Sequence, residues 1–284
     1  MPQGVRSVNI GLIMDRAPSP IMLDVIERLA ARGARMDVID SERALVNLED
    51  HRPSYDWYLL KGGSASALTL GGMLHTLGAR LLHAYPTTVI LRNKLVVMQA
   101  LRSRGLPVPA TYYVTQVDDI RTLLAAGPVI LKPNDGRRGE GIRVVRSVAD
   151  LDPAPIAAPL LVQRYCPPDG PHPEPGKSRF LKAYRIGNEI HGVWRTWPLG
   201  PKPECDSEPC AISTAIRGMV MAVGEVFDIS LYGVDFVFSG GRPYPVDVIP
   251  MGSCTGVPDA ARLLADYFLA ACGSESSVER GTSG

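Results

Sequence analysis

Residues 8–83 alternate between short apolar runs and segments with helical spacing, and this alternation limits the fold more than any other feature. The apolar runs predict strands at 8–14, 35–39, 57–60 and 80–83. Helices are predicted at 18–32 and 64–77, the first with apolar side chains at Ile21, Val25 and Leu29. Because a helix between two strands carries the chain back to the same edge of the sheet, the pattern predicts a parallel α/β layer.

The turn after the first strand contains no glycine and reads Met-Asp-Arg-Ala-Pro over 14–18. Dinucleotide-binding folds need glycines in this turn so that the backbone can approach the pyrophosphate at a helix N-terminus. The N-terminal layer is therefore interpreted as a scaffold and part of a cleft wall, not as a dinucleotide site.

Charge and cysteine content exclude several classes of protein. The 284 residues carry 30 basic and 29 acidic side chains, a formal net charge of +1, so no overall field favours a nucleic acid or an anionic membrane surface. No apolar run reaches the roughly 18 residues that a membrane-spanning helix needs. The five cysteines are irregularly spaced and no secretory signal is recognised, so we expect a soluble, cytoplasmic protein.

Beyond residue 86 the pattern changes to locally paired strands with fewer helices. A helix predicted over 88–104 ends at Gly105, ahead of Pro107 and Pro109. Strands are predicted at 111–114, 129–131, 142–145, 160–165, 180–186, 189–197, 232–238 and 244–249, and helices at 212–227 and 258–271. Proline-rich loops are predicted on either side of the strand at 160–165 and over 198–209. The fold class is therefore α/β, with an α+β C-terminal half.

Lys132 and the glycine-rich segment after it form the strongest local signal for chemistry. A buried strand at 129–131 leads through Lys132 into Pro-Asn-Asp-Gly-Arg-Arg-Gly-Glu-Gly over 133–141. A lysine at the end of a strand, followed by glycines whose amides can approach an anion, is suited to gripping a polyphosphate. It is not the usual phosphate loop, in which G-x-x-x-x-G-K-[ST] leads into a helix, and an ordinary mobile turn is the alternative reading.

Asp235 and Asp247 form a second signal. Each acid has apolar neighbours near the end of a predicted strand, and a carboxylate in such a position requires a partner. If the two strands are antiparallel, both carboxylates can lie on one face, where together with phosphate oxygens and waters they suit Mg²⁺. Salt bridges to Arg217 or Arg242 are the structural alternative.

Taken in order, these segments resemble the ATP-grasp superfamily over nearly the whole chain. A helix with Lys94 precedes the turn Gly-Leu-Pro-Val-Pro-Ala-Thr at 105–111, and residues 132–142 follow the family pattern K-P-x-x-G-x-x-G-x-G-[VI]. The likeness is to amino-acid and peptide ligases of the glutamate-ligase type, with some likeness to inositol phosphate kinases. It implies an N-terminal pre-ATP-grasp domain at 1–86, a lysine helix and small subdomain at 87–160, a C-terminal subdomain at 161–272 and a disordered tail at 273–284.

The resemblance also implies roles for individual residues. The implied phosphate contacts are Lys94 and Lys132, the implied catalytic residues are Lys182 and Arg195, and the implied magnesium ligands are Asp235 and Asp247. Further nucleotide contacts are implied for Gly136, Arg138, Gly139 and Gly141 of the loop, for Gln163, Arg164, Tyr165 and Cys166 of the adenine hinge, and for Asp169 at the ribose. Mn²⁺ is an alternative ion, and a solvated strand position is the alternative for either catalytic residue.

One position departs from the family pattern. Relatives carry Asp/Glu-x-Asn shortly before a Gly-Val-Pro segment, whereas here Asp247 is followed by Val248 and Ile249, with Gly-Val-Pro at 256–258. Isoleucine has no atom that can ligate a metal, so a second magnesium site is expected to be weakened or lost.

The resemblance implies an ATP-dependent carboxylate–amine or carboxylate–thiol ligase that forms an acylphosphate. Two alternatives stay open. One is a small-molecule kinase that phosphorylates a hydroxyl of an inositol-phosphate-like acceptor, and the other is an ATP-binding protein that has lost catalysis, which Ile249 would explain. The implied partners are ATP and a small-molecule or peptide acceptor, without nucleic acid or membrane, and a homodimer is one option for the assembly.

Overall fold

The computed structural model describes residues 7–133, 141–151, 160–170, 174–198 and 207–273. Their contacts divide the chain into two units. The first unit holds the described residues of 1–89 and 258–284, and the second holds those of 90–257. No helix in the described ranges is both long enough and apolar enough to cross a membrane.

A parallel sheet forms the centre of the first unit. Its strands are β1 (Asn9–Met14), β2 (Arg35–Asp40), β3 (Trp57–Leu60) and β4 (Leu81–Leu82), in the order β2-β1-β3-β4. The connecting helices are α1 (Pro20–Ala30) and α2 (Ala65–Thr76). All pairings between these strands are parallel, which confirms the predicted α/β layer.

Capping side chains set where these helices begin. The hydroxyls of Ser19 and Ser64 accept hydrogen bonds from the backbone amides of Met22 and Ala67, at the starts of α1 and α2. Pro20 occupies the first position of α1, where a helix has no use for an amide donor. Both starting points follow from the local sequence alone.

The second unit contains two antiparallel sheets. The boundary between the units falls within α3 (Tyr85–Arg92), and α4 (Lys94–Ser103) follows it. The four-stranded sheet, ordered β5-β8-β6-β7, consists of β5 (Thr111–Val114), β6 (Val129–Pro133), β7 (Arg143–Val145) and β8 (Leu160–Arg164), with α5 (Val117–Leu124) after β5. The five-stranded sheet, ordered β11-β10-β9-β12-β13, consists of β9 (Ser178–Ile186), β10 (Glu189–Trp197), β11 (Ser207–Cys210), β12 (Leu231–Ser239) and β13 (Arg242–Pro250), with α6 (Thr214–Phe227) before β12.

Each of these sheets buries one face in its own hydrophobic core. In the four-stranded sheet, Val129 and Val162 pack in a cluster with Ile120 of α5. In the five-stranded sheet, Val234 packs in a cluster with Val220 of α6. Because side chains alternate along a strand, the other face of each sheet is free to carry polar and charged residues.

The predicted single helix over 88–104 is wrong, since the structure contains two helices there. Asn93 lies between α3 and α4, and its side-chain oxygen accepts a hydrogen bond from the Val96 amide at 3.2 Å. Asparagine favours the N-cap because its side chain competes with the helical backbone bond. The break makes Lys94 the first residue of α4.

Three further elements differ from the sequence-based expectation. Helix α5 was not predicted, and β11 falls at the end of a predicted loop. The last helix, α7 (Ala260–Gly273), packs against α1 in the first unit and not within the expected C-terminal subdomain at 161–272. The predicted tail beyond residue 273 lies outside the described residues.

Candidate active site

A row of charged side chains crosses one face of the five-stranded sheet. Asp235 on β12 is directly opposite Asp247 on β13, and Lys182 on β9 is directly opposite Asp235. These pairings are antiparallel, as predicted, and directly opposed residues point to the same face. Their neighbours Val234 and Val248 point into the hydrophobic core on the other side. Strand alternation therefore gathers both acids and one lysine on a single face.

Each acid of this charged row is paired with a lysine. Lys182 Nζ lies 2.9 Å from Asp235 Oδ1. Lys94 Nζ donates to both carboxylate oxygens of Asp247, at 3.1 and 3.0 Å. The four side chains are between 16% and 28% exposed, so water screens both pairs only weakly. The arginine salt bridges considered from the sequence are not the pairs that the described residues form.

Burial and mutual attraction together set the pKa values of Lys182 and Asp235. Burial raises the pKa of Asp235, and the adjacent Asp247 carboxylate raises it further, while Lys182 acts to lower it. Burial acts to lower the pKa of Lys182, but the attraction of Asp235 outweighs it and the pKa is raised. The ammonium group is therefore held in its charged form beside the two acids.

Lys132 brings a third ammonium group close to the charged row. It lies on β6, is only 7% exposed, and its Nζ donates to the carbonyl of Val246 at 3.2 Å. Burial lowers the pKa of Lys132 to about 8, and the nearby Lys94 lowers it further, whereas Asp247 acts in the opposite direction. An ammonium group with further donors to use, next to Asp247 on β13, is suited to an anionic ligand.

Gln163 shares the inner face of the four-stranded sheet with Lys132. Leu161, two residues before it on β8, is directly opposite Lys132, so all three side chains point the same way. Gln163 is 1% exposed, and its Nε2 lies 3.0 Å from Thr111 Oγ1. Its Oε1 is buried without a hydrogen-bond partner among the described residues. A buried free acceptor of this kind suits a ligand that brings a donor.

The other hinge residues have mainly structural contacts. The guanidinium of Arg164 donates to the carbonyls of Leu123 and Gly127, so this side chain holds the chain between α5 and β6. Tyr165 stacks beneath the guanidinium of Arg146, whose Cζ lies 5.7 Å from the ring centroid. Burial raises the pKa of the Cys166 thiol, which keeps it neutral. Any contact of Arg164 with a base would therefore come from its backbone.

Asp169 braces the turn between β12 and β13. Its two carboxylate oxygens accept hydrogen bonds from the backbone amides of Gly240 and Gly241, at 2.6 and 2.8 Å. Its own amide donates to the carbonyl of Phe238. Both carboxylate oxygens therefore accept hydrogen bonds within the chain, and the ribose contact that the resemblance implies for Asp169 stays a prediction.

Arg195 lies on the same face as the charged row, on β10. It is directly opposite Phe180 on β9 and Ser207 on β11, two residues from Val193, which is the partner of Lys182. The residue is 5% exposed, and its Nε has no hydrogen-bond partner among the described residues. A solvated strand position is thus excluded for Arg195, and a buried guanidinium with a free donor suits a second anionic group.

Only the end of the glycine-rich loop is described. Gly141 has φ +70°, and a Cβ there would lie 2.7 Å from Cγ of Pro133, so both conformation and space require glycine. The predicted contacts Gly136, Arg138 and Gly139 lie outside the described residues.

The row offers two carboxylates to a metal ion. Ile249 is directly opposite Gly233, beside the Asp235–Asp247 pair, and supplies no ligand atom. Within the described ranges, no group of three His, Cys, Asp or Glu side chains could hold a metal. Two adjacent carboxylates fit one Mg²⁺ whose other ligands are phosphate oxygens and water.

Tyr184 belongs to this face and was missed from the sequence. It is fully buried two residues after Lys182, whose Nζ lies 5.9 Å from its ring centroid. A Cβ on Gly252 would lie 2.8 Å from the ring, and one on Gly233 would lie 3.3 Å from it. The segment after β13 therefore closes over the ring. Strand alternation from Lys182 could have pointed to this tyrosine.

No family model matches the chain. Among solved structures, it is similar to a RimK domain ATP-grasp protein from Sphaerobacter thermophilus, with a TM-score of 0.71 and 21% identity over 91% of this chain and 98% of that one. The chain has the ATP-grasp fold. A second ATP-grasp structure, of the ligase PsnB with a minimal precursor, Mg and ADP, gives a TM-score of 0.66 and 18% identity over 93% of this chain and 98% of that one.

A curated relative supports the same superfamily. A probable alpha-L-glutamate ligase of Methanococcoides burtonii is 23% identical over 278 residues, which cover 86% of this chain and 89% of the relative. The predicted likeness to the glutamate-ligase-like branch of ATP-grasp proteins is thereby confirmed, and with it the prediction of an ATP-dependent ligase. The predicted kinase alternative draws no support from these matches.

Proposed function

We propose that the protein joins a carboxylate to an amine or thiol by way of an acylphosphate, with ATP as the phosphoryl donor. The observation that carries this proposal is the charged row, in which Lys182, Asp235 and Asp247 lie side by side, with Lys94 bound to the last of them. Such an array positions a polyphosphate and neutralises its charge, which is most of what phosphoryl transfer requires.

The nucleotide would lie between the two sheets of the second unit. Lys132, which already contacts β13, and Lys94 would contact phosphate oxygens, and Gln163 would face the base. Asp235 and Asp247 would hold a single magnesium ion, which when bound neutralises phosphate charge and polarises the transferred group. Phosphate oxygens are suitable new partners for the two lysines that now occupy these acids.

The chemistry then follows two balanced steps. A carboxylate oxygen of the substrate attacks the terminal phosphorus of ATP, and the bond to ADP breaks. The amine or thiol attacks the acyl carbon, inorganic phosphate leaves, and the nucleophile loses its proton. Arg195 and Lys182 supply donors for the charge that develops on the transferred group and the acyl oxygen.

The substrate class is a small carboxylic acid or a peptide with a free carboxylate. The buried guanidinium of Arg195 supports this choice, since its fork of donors matches a carboxylate as well as a phosphate. Peptide and amino-acid acceptors are the first to test, because the similar proteins are named as a glutamate ligase and as a ligase bound to a precursor.

A product assay tests the proposal. Purified protein is incubated with MgATP and panels of amino acids, peptides and polyol phosphates, and ADP, phosphate and new products are measured by mass spectrometry. For an active pair, carboxylate labelled with oxygen-18 should transfer one labelled oxygen to inorganic phosphate. A phosphorylated alcohol without free phosphate would establish the kinase alternative, and ATP binding without any turnover would establish the loss of catalysis.

A further inference from the structure

The two amide atoms of Gln163 differ in their hydrogen-bond partners. Its Nε2 lies 3.0 Å from Thr111 Oγ1, and that hydroxyl donates to the carbonyl of Pro109 at 2.8 Å. Its Oε1 is buried and has no partner among the described residues. The contacts form a chain from the backbone of Pro109 through Thr111 to the amide.

This chain of contacts allows only one orientation of the amide. A carbonyl oxygen can only accept, so the single hydroxyl hydrogen of Thr111 is committed to Pro109. The hydroxyl oxygen can then only accept from Gln163, which requires the NH₂ group on that side. The reversed amide would lose either this bond or the bond to Pro109, because Thr111 has a single hydrogen to donate. Thr111 therefore fixes Oε1 as the atom that is left to a ligand.

The backbone keeps the pair in place. Thr111 on β5 and Gln163 on β8 are directly opposite one another, and the amide of Arg164 donates to the carbonyl of Ala110 next to them. On its other side Gln163 is directly opposite Ile130 of β6. With a strand on either side and 1% exposure, the side chain has no room to turn away.

We infer that Thr111 is a positioning residue that makes the nucleotide site select adenine over 6-oxo purines. The inference rests on the proposed function, in which Gln163 faces the base. An acceptor held at Oε1 pairs with the 6-amino group of adenine and opposes the 6-oxo group of hypoxanthine or guanine. A 6-oxo purine should bind much more weakly, because its oxygen and Oε1 would both be buried acceptors without a hydrogen bond from each other or from water.

The test compares binding of ATP and ITP, which differ in the 6-amino or 6-oxo group and in the proton on N1, by calorimetry with their non-hydrolysable analogues and Mg²⁺. The wild type should bind the ATP analogue at least about tenfold more tightly. Thr111→Val keeps the shape of the side chain but frees the amide to reverse, so the ratio should fall about tenfold, with weaker ATP binding and tighter ITP binding. Thr111→Ser keeps the hydroxyl and should therefore keep the wild-type ratio of ATP to ITP affinity.

The outcomes separate this inference from the proposed function. Binding of neither analogue by the wild type would overturn both. Binding of both analogues with equal affinity by the wild type would overturn the inference alone, and this measurement needs no variant to fold. A Thr111→Val protein that loses the same factor for both analogues would show a merely structural role and would also overturn it.

Discussion

The polar side chains on the inner faces of the two sheets of the second unit differ in whether they already have partners within the chain. On the five-stranded sheet, the charged row is satisfied internally, since Asp235 and Asp247 each hold a lysine. On the four-stranded sheet, Gln163 has a buried acceptor with no partner among the described residues, and Lys132 donates to the carbonyl of Val246. In the proposed function, a base would therefore bind to groups that are already oriented, whereas phosphates and metal would exchange partners with groups that are already paired.

Removal of an acid from the charged row should have the largest effect. Asp235→Asn keeps the shape of the side chain but removes the charge that pairs with Lys182 and would hold the metal. We expect turnover of ATP to fall by about 100- to 1,000-fold. ADP release and the thermal midpoint are measured together. Asp266→Asn, which removes the exposed ion pairs with Arg32 and Arg262 in the first unit, is the matched control and should leave turnover unchanged.

Nucleotide affinity should depend on pH through Lys132. Its pKa of about 8 means that the ammonium is charged below pH 8 and loses its proton as the pH rises through that value. Affinity for the ATP analogue should therefore fall about tenfold between pH 7 and pH 9. In Lys132→Met the affinity should be lower at pH 7 and flat over this range. An unchanged pH profile in that variant would rule out Lys132 as the titrating group.

The same shift predicts how the stability of the free protein changes with pH. The unfolded chain keeps this proton up to its ordinary pKa of 10.5, whereas the folded chain releases it near 8. Because the unfolded state binds more protons between these values, the contribution of Lys132 to the free energy of unfolding rises with pH across that window. Denaturant titrations of wild type and Lys132→Met measure the difference in the free energy of unfolding, which should change between pH 8 and 10.5 and stay constant below pH 7.

A third ligand beside the charged row should strengthen metal binding. Ile249→Asn places an amide oxygen beside the Asp235–Asp247 pair, where isoleucine offers none. We expect metal affinity in the presence of nucleotide to rise about tenfold, with a gain in turnover. Ile249→Val is the control and should behave like the wild type. Equal metal affinity in all three proteins would mean that this position does not face the ion.

The smallest effect on catalysis is expected at Asp169. Asp169→Ala removes the acceptor for the amides of Gly240 and Gly241 and should lower the free energy of unfolding by about 1 kcal/mol. Affinity for the ATP analogue should change less than twofold. A large loss of affinity at unchanged stability would instead support the ribose contact assigned from the sequence.

The sequence predicted those features that depend on neighbours along the chain. Strand alternation placed Asp235 and Asp247 on one face, and Lys132 lies near the end of its strand as expected. Features that depend on distant partners could not be read in this way. Lys94 pairs with Asp247 although the two residues are 153 positions apart, and the sequence around either residue does not predict this pair.

Local competition explains one further difference, and distant contacts explain the rest. Asn93 could be read as a helix residue or as a cap, and its bond to Val96 decides for the cap. Asp169 was assigned from a motif offset, while its hydrogen bonds depend on a turn about 70 residues later in the chain. Helix α7 joins the first unit through α1, a contact that no periodicity in its own sequence specifies.

The most direct test of the charged row needs no knowledge of the acceptor. Mn²⁺ as a probe is titrated into the protein, alone and with a non-hydrolysable ATP analogue, and the bound ion is followed by electron paramagnetic resonance. Because Lys94 and Lys182 occupy the acids until phosphates replace them, we expect weak binding without nucleotide and one tightly held ion per chain with it. Tight binding to the free protein that persists in Asp235→Asn, or no retained ion with nucleotide, would contradict the assignment.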